Sequence, residues 1–393
     1  MRILQINSVY KKGSTGKIVS ELHTFFQNAG HESYVLYGRK KQPKEKNVFK
    51  VSSEIEAKLH AILALLFGLD FAFSPIATLR TIKLIKKIKP DIVHIHCLNG
   101  HYINAYKLLR FLKKNRIKTV LTLHAEIMHT AGCEHAMECD KWLKGCYGCT
   151  IIKGLISSLF VDDSKKCYKL MKTSFDGFYN LAVVGCSKWV MNRAMQSSMF
   201  SNCSCSFFYV HNNIDYSVFK FIPATNLRAR LGINSKKKII LNVTSNFKHP
   251  IKGPSYLIEI AKKLPDYQFI IVGFNGWKDT LPKNILTINH TSNQFELAEF
   301  YSIADCFIST SIRETLPTVC LEATACCCPV LAFNSGGSIE TIDIGQGDVV
   351  KPYNVDEFVE KIKLWSNKPK IIKDHSYKKM MGDNYIGIYE KLG

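Results

Sequence analysis

"DCFISTSIRETLPTVCLEATACCCPV", residues 305–330, reads as strand, loop, helix and strand in one stretch. Cys306, Phe307 and Ile308 form a short apolar run, and the polar turn after it leads to Pro317, which suits the first turn of a helix because its missing N–H costs nothing there. A second apolar run begins at Val330. Strand, helix and strand in that order are the unit of a parallel sheet covered by helices. The stretch also holds two glutamates, Glu314 and Glu322. Glu322 has Thr318, Val319, Ala325 and Cys326 at helical neighbour distances, none of them basic, so no local ion pair supports it. A carboxylate on so apolar a helix is expected to be buried on most sides, and its partner must come from elsewhere. The expected partner is a ligand.

The same alternation runs along the whole chain. The strand candidates "RILQIN", "ESYVLYG", "DIVHIH", "KTVLTL", "LAVVGC" and "SFFYV" form one series. A second series comprises "KIILNV", "YQFIIVG", "ILTIN", "DCFIST" and "PVLAF", with helical segments such as "PSYLIEIAKKL" between them. At 393 residues the chain exceeds the size at which one core stops growing, so two domains are expected. The spacing predicts a first α/β domain over 1–210, a polar, turn-rich linker over 211–225, a second domain over 226–375 and a terminal helix over 376–393 that packs back toward the first domain. Doubly wound domains bind ligands at the carboxyl ends of their strands, and two of them facing each other would share one interdomain cleft.

Formal net charge is +21, which calls for an anionic partner: nucleotide phosphates, nucleic acid or an acidic membrane. A nucleic-acid-binding protein would interleave basic and aromatic residues on one face or carry a recognition module, and neither is found. The start of the chain lacks the pattern of a signal peptide, so a cytoplasmic location is expected, and the fourteen cysteines do not read as a disulfide framework. The apolar run "AILALLFGLDFAF" is broken by Asp70 and is shorter than a membrane span. "IATLRTIKLIKKIKP" follows it, with Arg80, Lys83, Lys86, Lys87 and Lys89 among leucines and isoleucines. Such a basic amphipathic helix either lies on an anionic membrane, which would make the protein peripheral at the inner face, or is a domain helix with a solvated face.

The free amides at the start of the helix after Pro317 form an anion site at the mouth of a crevice. Glu314 sits in the loop before that helix, and Glu322 leans back toward its start. Carboxylates that accept hydroxyl hydrogen bonds beside a phosphate site fit a nucleotide sugar. Glu314, seven residues, Glu322 and then "CCCPVLAFNSGGSIETI" resemble the signature of retaining glycosyltransferases of family 4. These have the GT-B fold of two facing Rossmann-like domains, and the similarity is strongest to the bacterial branch that makes capsule, lipopolysaccharide and exopolysaccharide. The resemblance implies a UDP- or GDP-sugar donor and a carbohydrate acceptor, in many cases lipid-linked. It assigns Glu314 to hydroxyls of the donor sugar, Glu322 to the ribose, and Thr315, Leu316, Pro317 and Thr318 to the donor loop. Glycine is usual in the family where Cys327 stands, so the packing against the next strand is expected to differ.

The resemblance extends to three further places. Lys252 and Gly253 match the family's Lys-Gly, whose lysine neutralises the diphosphate; Asn246 stands where many relatives carry an arginine. Gly13, Ser14, Thr15 and Gly16 form a turn that lets backbone approach a ligand at a helix start. The spacing is not that of a P-loop, since two residues rather than four separate the glycines and Ile18 follows Lys17. His124 matches the family's Thr-Leu-His histidine near the reacting carbon, although Ala125 replaces the frequent aspartate; His94 and His96 are expected to pack or to face the acceptor. No Asp-x-Asp occurs, so charge on the leaving diphosphate is expected to be balanced without metal, by Lys252 and helix amides.

Cys133, Cys139, Cys146 and Cys149 lie within seventeen residues and end in Cys-x-x-Cys, the ligand count of a structural zinc site; reduced buried thiols or a redox pair are the alternatives. A competing enzymatic reading is a GT-B isomerase or epimerase that acts on the nucleotide sugar without an acceptor.

Overall fold

The structure, a computed structural model, describes residues 1–149, 161–223, 226–342, 346–373 and 380–392. The chain divides into two compact units, Met1–Asn212 with Lys379–Gly393, and Asn213–Lys378.

The first unit is built on seven parallel strands: β1 (Arg2–Asn7), β2 (Glu32–Tyr37), β3 (Val48–Lys50), β4 (Ile92–Ile95), β5 (Thr119–Leu123), β6 (Leu181–Gly185) and β7 (Ser206–Tyr209). Their order across the sheet is β3-β2-β1-β4-β5-β6-β7. Helices cover both faces, so the inner strands are apolar on both sides, and β4, β5 and β6 are buried along their whole length. Helix Gly13–Asn28 turns Ile18, Leu22 and Phe26, spaced at one helical face, onto Ile3, Ile92 and Val120. The helix Met381–Lys391 adds Tyr385, Ile388 and Tyr389 to the same cluster, while the first residues of the expected terminal segment, 376–379, lie outside the described residues. Gly382 lets this helix come close, because a Cβ there would sit 2.1 Å from the Phe25 ring.

The second unit has six parallel strands: β8 (Ile239–Val243), β9 (Gln268–Val272), β10 (Ile285–Ile288), β11 (Cys306–Ser309), β12 (Val330–Phe333) and β13 (Gly347–Val350). Their order is β10-β9-β8-β11-β12-β13. In each sheet the strand order reverses once, between β1 and β4 in the first and between β8 and β11 in the second. The loops leaving those strands are where ligands bind in such sheets.

The sequence pattern misses β3 and β13. Both are short edge strands, and their sequences, "VFK" and "GDVV", carry too few apolar residues to stand out.

Candidate functional site

In the second unit the loops after β8 and β11 meet at the switch point. The loop after β8 ends in a single 3-10 turn, Pro250–Lys252, and the Lys252 Nζ lies 2.7 Å from the Glu314 Oε1. Backbone bonds stitch the two loops together. The Ile312 N–H donates to the Ile251 carbonyl at 2.8 Å, and the Thr310 hydroxyl donates to the Lys252 carbonyl at 3.0 Å. Glycine is required where these chains touch: Gly253 has φ +63°, and a Cβ on it would lie 2.0 Å from the Thr310 carbonyl oxygen. Gly336, also at φ +63°, passes so close that its Cβ would meet the Glu314 carbonyl at 1.8 Å, and the next residue's N–H donates to that carbonyl at 2.9 Å. Glu314 is thus held at its backbone by the loop after β12 and at its side chain by Lys252.

The helix Thr318–Ala325 starts one residue later than its sequence suggests. Pro317 is the capping residue (φ −72°, ψ 104°), and its carbonyl accepts from the Cys320 N–H. The N–H groups of Thr318 and Val319 have no intrahelical carbonyl to bond, by the geometry of any helix start. Thr315, Leu316 and Pro317 are buried, whereas Glu314 and Thr318 are part-exposed. Glu322 is part-exposed, and a partner comes from elsewhere in the chain: the Tyr301 hydroxyl donates to its Oε2 at 2.9 Å. Burial, reinforced by the neighbouring carboxylate, pushes the Tyr301 phenol well above its ordinary value, so it stays a donor. One oxygen of Glu322 is aimed by Tyr301 from twenty-one residues upstream, beyond the reach of helical spacing rules. Asn246, in the place of the family's arginine, accepts from the Asn275 amide at 2.7 Å and carries no charge.

In the first unit the glycine-rich turn follows β1. Gly13 has φ +66°, and Gly16 is buried where a Cβ would lie 3.1 Å from Val9; its carbonyl accepts from the Lys11 N–H at 2.9 Å. Ser14 is exposed and Thr15 part-exposed. His124 lies just beyond β5, across the switch point from that turn. A hydrogen-bonded row leads to it through the sheet: Gln5 Oε1 lies 3.2 Å from His96 Nε2, and His96 Nδ1 lies 3.1 Å from His124 Nε2. The Gln5 amide nitrogen donates to the Val19 carbonyl at 3.4 Å, so its oxygen faces His96 and accepts from the His96 Nε2–H. His96 Nδ1 is then an acceptor, and His124 Nε2 is the donor to it. Burial pulls His124 down to about 4 and His96 well below its usual value, which keeps both rings neutral. His94 is buried beside them, bonded to the Tyr389 hydroxyl at 2.7 Å and to the Thr122 hydroxyl at 2.8 Å.

Cys133 and Cys146 share a small cluster with Ala136, Trp142 and Leu143. Both thiols are pushed up to about 12, first by burial and then by the other cysteines of the segment, Cys139 and Cys149 among them. Among the described residues no group of three or more His, Cys, Asp or Glu side chains stands in a metal-holding arrangement. The four cysteines are not gathered into one ligand set. The segment is anchored by Glu126, fully buried, which accepts from Arg193 Nε at 2.6 Å and from the Ala136 N–H at 2.9 Å; the Arg193 guanidinium also lies 4.4 Å from the Trp142 ring centre. Nothing local in the sequence marks Arg193 as the partner, since sixty-seven residues separate it from Glu126.

Two families match the chain. The family described as Glycosyltransferase Family 4 matches residues 15–142, and Glycosyl transferases group 1 matches residues 223–382. An uncharacterized glycosyltransferase of Haemophilus influenzae is 26% identical over 219 residues, which are 52% of this chain and 59% of that protein's length. Among solved structures, sucrose-phosphate synthase from Thermosynechococcus elongatus superposes with a TM-score of 0.65 at 15% identity, over 100% of this chain and 94% of that one. Anabaena HepE in complex with UDP-glucose superposes with a TM-score of 0.61 at 15% identity, over 100% of this chain and 95% of that one. The fold is therefore GT-B, two Rossmann-like units with parallel sheets.

Proposed function

We propose that the chain, whose two halves match the models of glycosyltransferase family 4 and of glycosyl transferases group 1, is a retaining hexosyltransferase. It takes the sugar from a UDP- or GDP-sugar and gives it to a carbohydrate acceptor, lipid-linked, in the assembly of a bacterial surface polysaccharide. The observation that carries this reading is the Lys252–Glu314 pair beside the start of helix Thr318–Ala325, at the switch point of the second unit.

The leaving diphosphate develops charge as the glycosidic bond breaks, and Lys252 with the amides of Thr318 and Val319 offsets that charge. Binding thus takes Lys252 over from Glu314, which turns its carboxylate to the donor's sugar hydroxyls. Glu322, with one oxygen on Tyr301, receives the ribose. Gly13, Ser14, Thr15 and Gly16 lie by the donor phosphate, and His124 contacts the donor sugar near the reacting carbon. In the retaining reaction the acceptor hydroxyl attacks from the face the diphosphate leaves, and the diphosphate oxygen takes its proton.

A thermal-shift panel of nucleotide sugars tests the donor assignment, because a ligand that binds only the folded state raises the melting temperature with concentration. Stabilisation by a UDP- or GDP-sugar, and release of the free nucleoside diphosphate only when a glycan acceptor is added, supports transfer. Conversion of the sugar without acceptor would assign an isomerase instead. Structural zinc at the cysteine segment is part of the proposal and rests on the count of four cysteines in seventeen residues; zinc would convert them to thiolates and pull them together. Metal analysis of freshly reduced protein should find about one zinc per chain.

A further inference from the structure

The helix Glu54–Phe67 is amphipathic in the wrong sense for a domain helix. Its inward face carries Ala57, His60 and Ala64, while its large apolar residues point outward: Ile55 is 81% exposed, Leu59 and Ile62 are 54% exposed each, and Leu66 and Phe67 are exposed as well. Ile55, Leu59, Ile62 and Leu66 recur at three- and four-residue steps, so they form one stripe. The helix Pro75–Ile88 continues this surface. It buries Ala77, Thr78, Thr81 and Ile85 and exposes Ile76 and Leu79 at its start, then Arg80, Lys83, Lys86 and Lys87.

The two helices are fixed to each other. The Glu56 carboxylate accepts from the Ala77 N–H at 3.0 Å, and His60 is bonded to the Ser74 hydroxyl at 2.8 Å and to the Asp70 carbonyl at 2.8 Å. The two acids of the first helix are occupied: Glu54 pairs with Arg39 and Lys50, and Glu56 holds the second helix. The outward surface is therefore apolar at one end and basic at the other, with Lys58 in the apolar stripe.

We propose that this helical hairpin is a docking surface for an anionic lipid bilayer, with the stripe Ile55–Leu59–Ile62–Leu66 entering the headgroup boundary and Arg80, Lys83, Lys86 and Lys87 resting on acidic headgroups. Helices of this kind lie in the interface plane. No described helix is long and apolar enough to cross a membrane. Charge favours lipid over a second copy of the chain: a two-fold contact through this face would set the basic residues against the same basic residues or against the apolar stripe. The surface uses none of the residues assigned to the donor, and the inference does not depend on sugar transfer.

Flotation with phosphatidylcholine vesicles, with and without phosphatidylglycerol, tests it. The wild type should float with the anionic vesicles only, and less at high salt. Lys83→Gln/Lys86→Gln/Lys87→Gln should lower the partition on the order of a hundredfold. Ile55→Ser/Ile62→Ser/Leu66→Ser should lower it at every salt concentration. Both variants change exposed side chains, so their melting temperatures and nucleotide affinities should match wild type, which separates this test from that of the donor site. Equal flotation with neutral vesicles, no flotation, or an apolar variant that binds like wild type overturns the proposal. So does light scattering that shows a wild-type dimer made monomeric by the apolar substitutions, since the face would then belong to a second copy.

Discussion

Tyr301 and Lys252 prepare two carboxylates for different work. Tyr301 aims one oxygen of Glu322, while Lys252 holds Glu314 in an ion pair. Glu322→Gln should weaken binding of the free nucleoside diphosphate about tenfold to a hundredfold, the worth of hydrogen bonds to a charged group. Glu314→Gln should leave that affinity intact or raise it, because Lys252 is released, and should instead lower turnover of the nucleotide sugar. Calorimetry of the diphosphate against both variants is the measurement, and the reverse pattern would exchange the two roles. The residue types and spacing of this pair are plain in the sequence, and the need of Glu322 for a distant partner follows from its neighbours. That the partner is Tyr301 is not legible, because it rests on how one helix lies across another. The row Gln5, His96, His124 escapes for the same reason: Gln5 sits on β1 and the two histidines just past the ends of β4 and β5, and only the sheet order β1-β4-β5 sets them side by side.

At the scale of single elements, the end of helix Thr318–Ala325 shows a turn preserved despite an unfavourable residue. The Cys328 N–H donates to the Ala323 carbonyl and the Cys327 N–H to the Thr324 carbonyl, both at 3.0 Å, the pair of bonds of a Schellman ending. Cys327 occupies its left-handed position at φ +56°, where glycine is at ease and other residues pay on the order of 1 kcal/mol. The glycine-type turn is thus kept with a cysteine in it. Cys327→Gly should leave stability unchanged or raise it by up to about 1 kcal/mol. Cys327→Val, branched at Cβ, should lower it by more than about 1 kcal/mol. Urea unfolding of the two variants decides, and equal destabilisation by both would mean that contacts of the thiol outweigh the backbone. Elements with a strong apolar period are all legible in the sequence, eleven strands among them; β3 and β13 are not, because an edge strand pairs on one side and needs little apolar surface. The outward stripe of Glu54–Phe67 reads in the sequence as a broken apolar run, since periodicity shows a stripe and not the side of the helix that faces the protein.

The whole molecule buries neutral imidazoles, which ties its stability to pH. His60 and His124 are pulled down to about 4, and His94 and His96 well below 6.5, each mainly by burial. In the unfolded chain these rings take up protons near 6.5, and in the folded chain they do not. As pH falls from 6.5 toward 4 the unfolded state therefore binds more protons and stability declines, by up to about 1.4 kcal/mol per pH unit for each ring. Glu54 and Glu126, both lowered to about 2, begin to lose their contribution only below 4.5, so the range from 6.5 to 4.5 isolates the histidines. Urea unfolding at pH 7.5, 6.0 and 5.0 should show a steady loss, and a flat profile would mean that the buried rings accept protons in the folded state. The two-sheet architecture is legible at this scale because alternating strands and helices admit few arrangements, and charge and length bound the rest.

The helix Met381–Lys391 gives the first unit Tyr385 and Tyr389, yet the whole second unit precedes it in the chain. On the ribosome the first unit emerges early and cannot be completed: His94 lacks its phenol partner, and the apolar surface around Phe26 stays uncovered. The second unit, contiguous in sequence, is free to close first. Biosynthesis thus completes the leading unit only after the trailing one has been made, and for the time needed to translate some 170 residues, at about 5–20 residues per second, the nascent first unit keeps that apolar surface open.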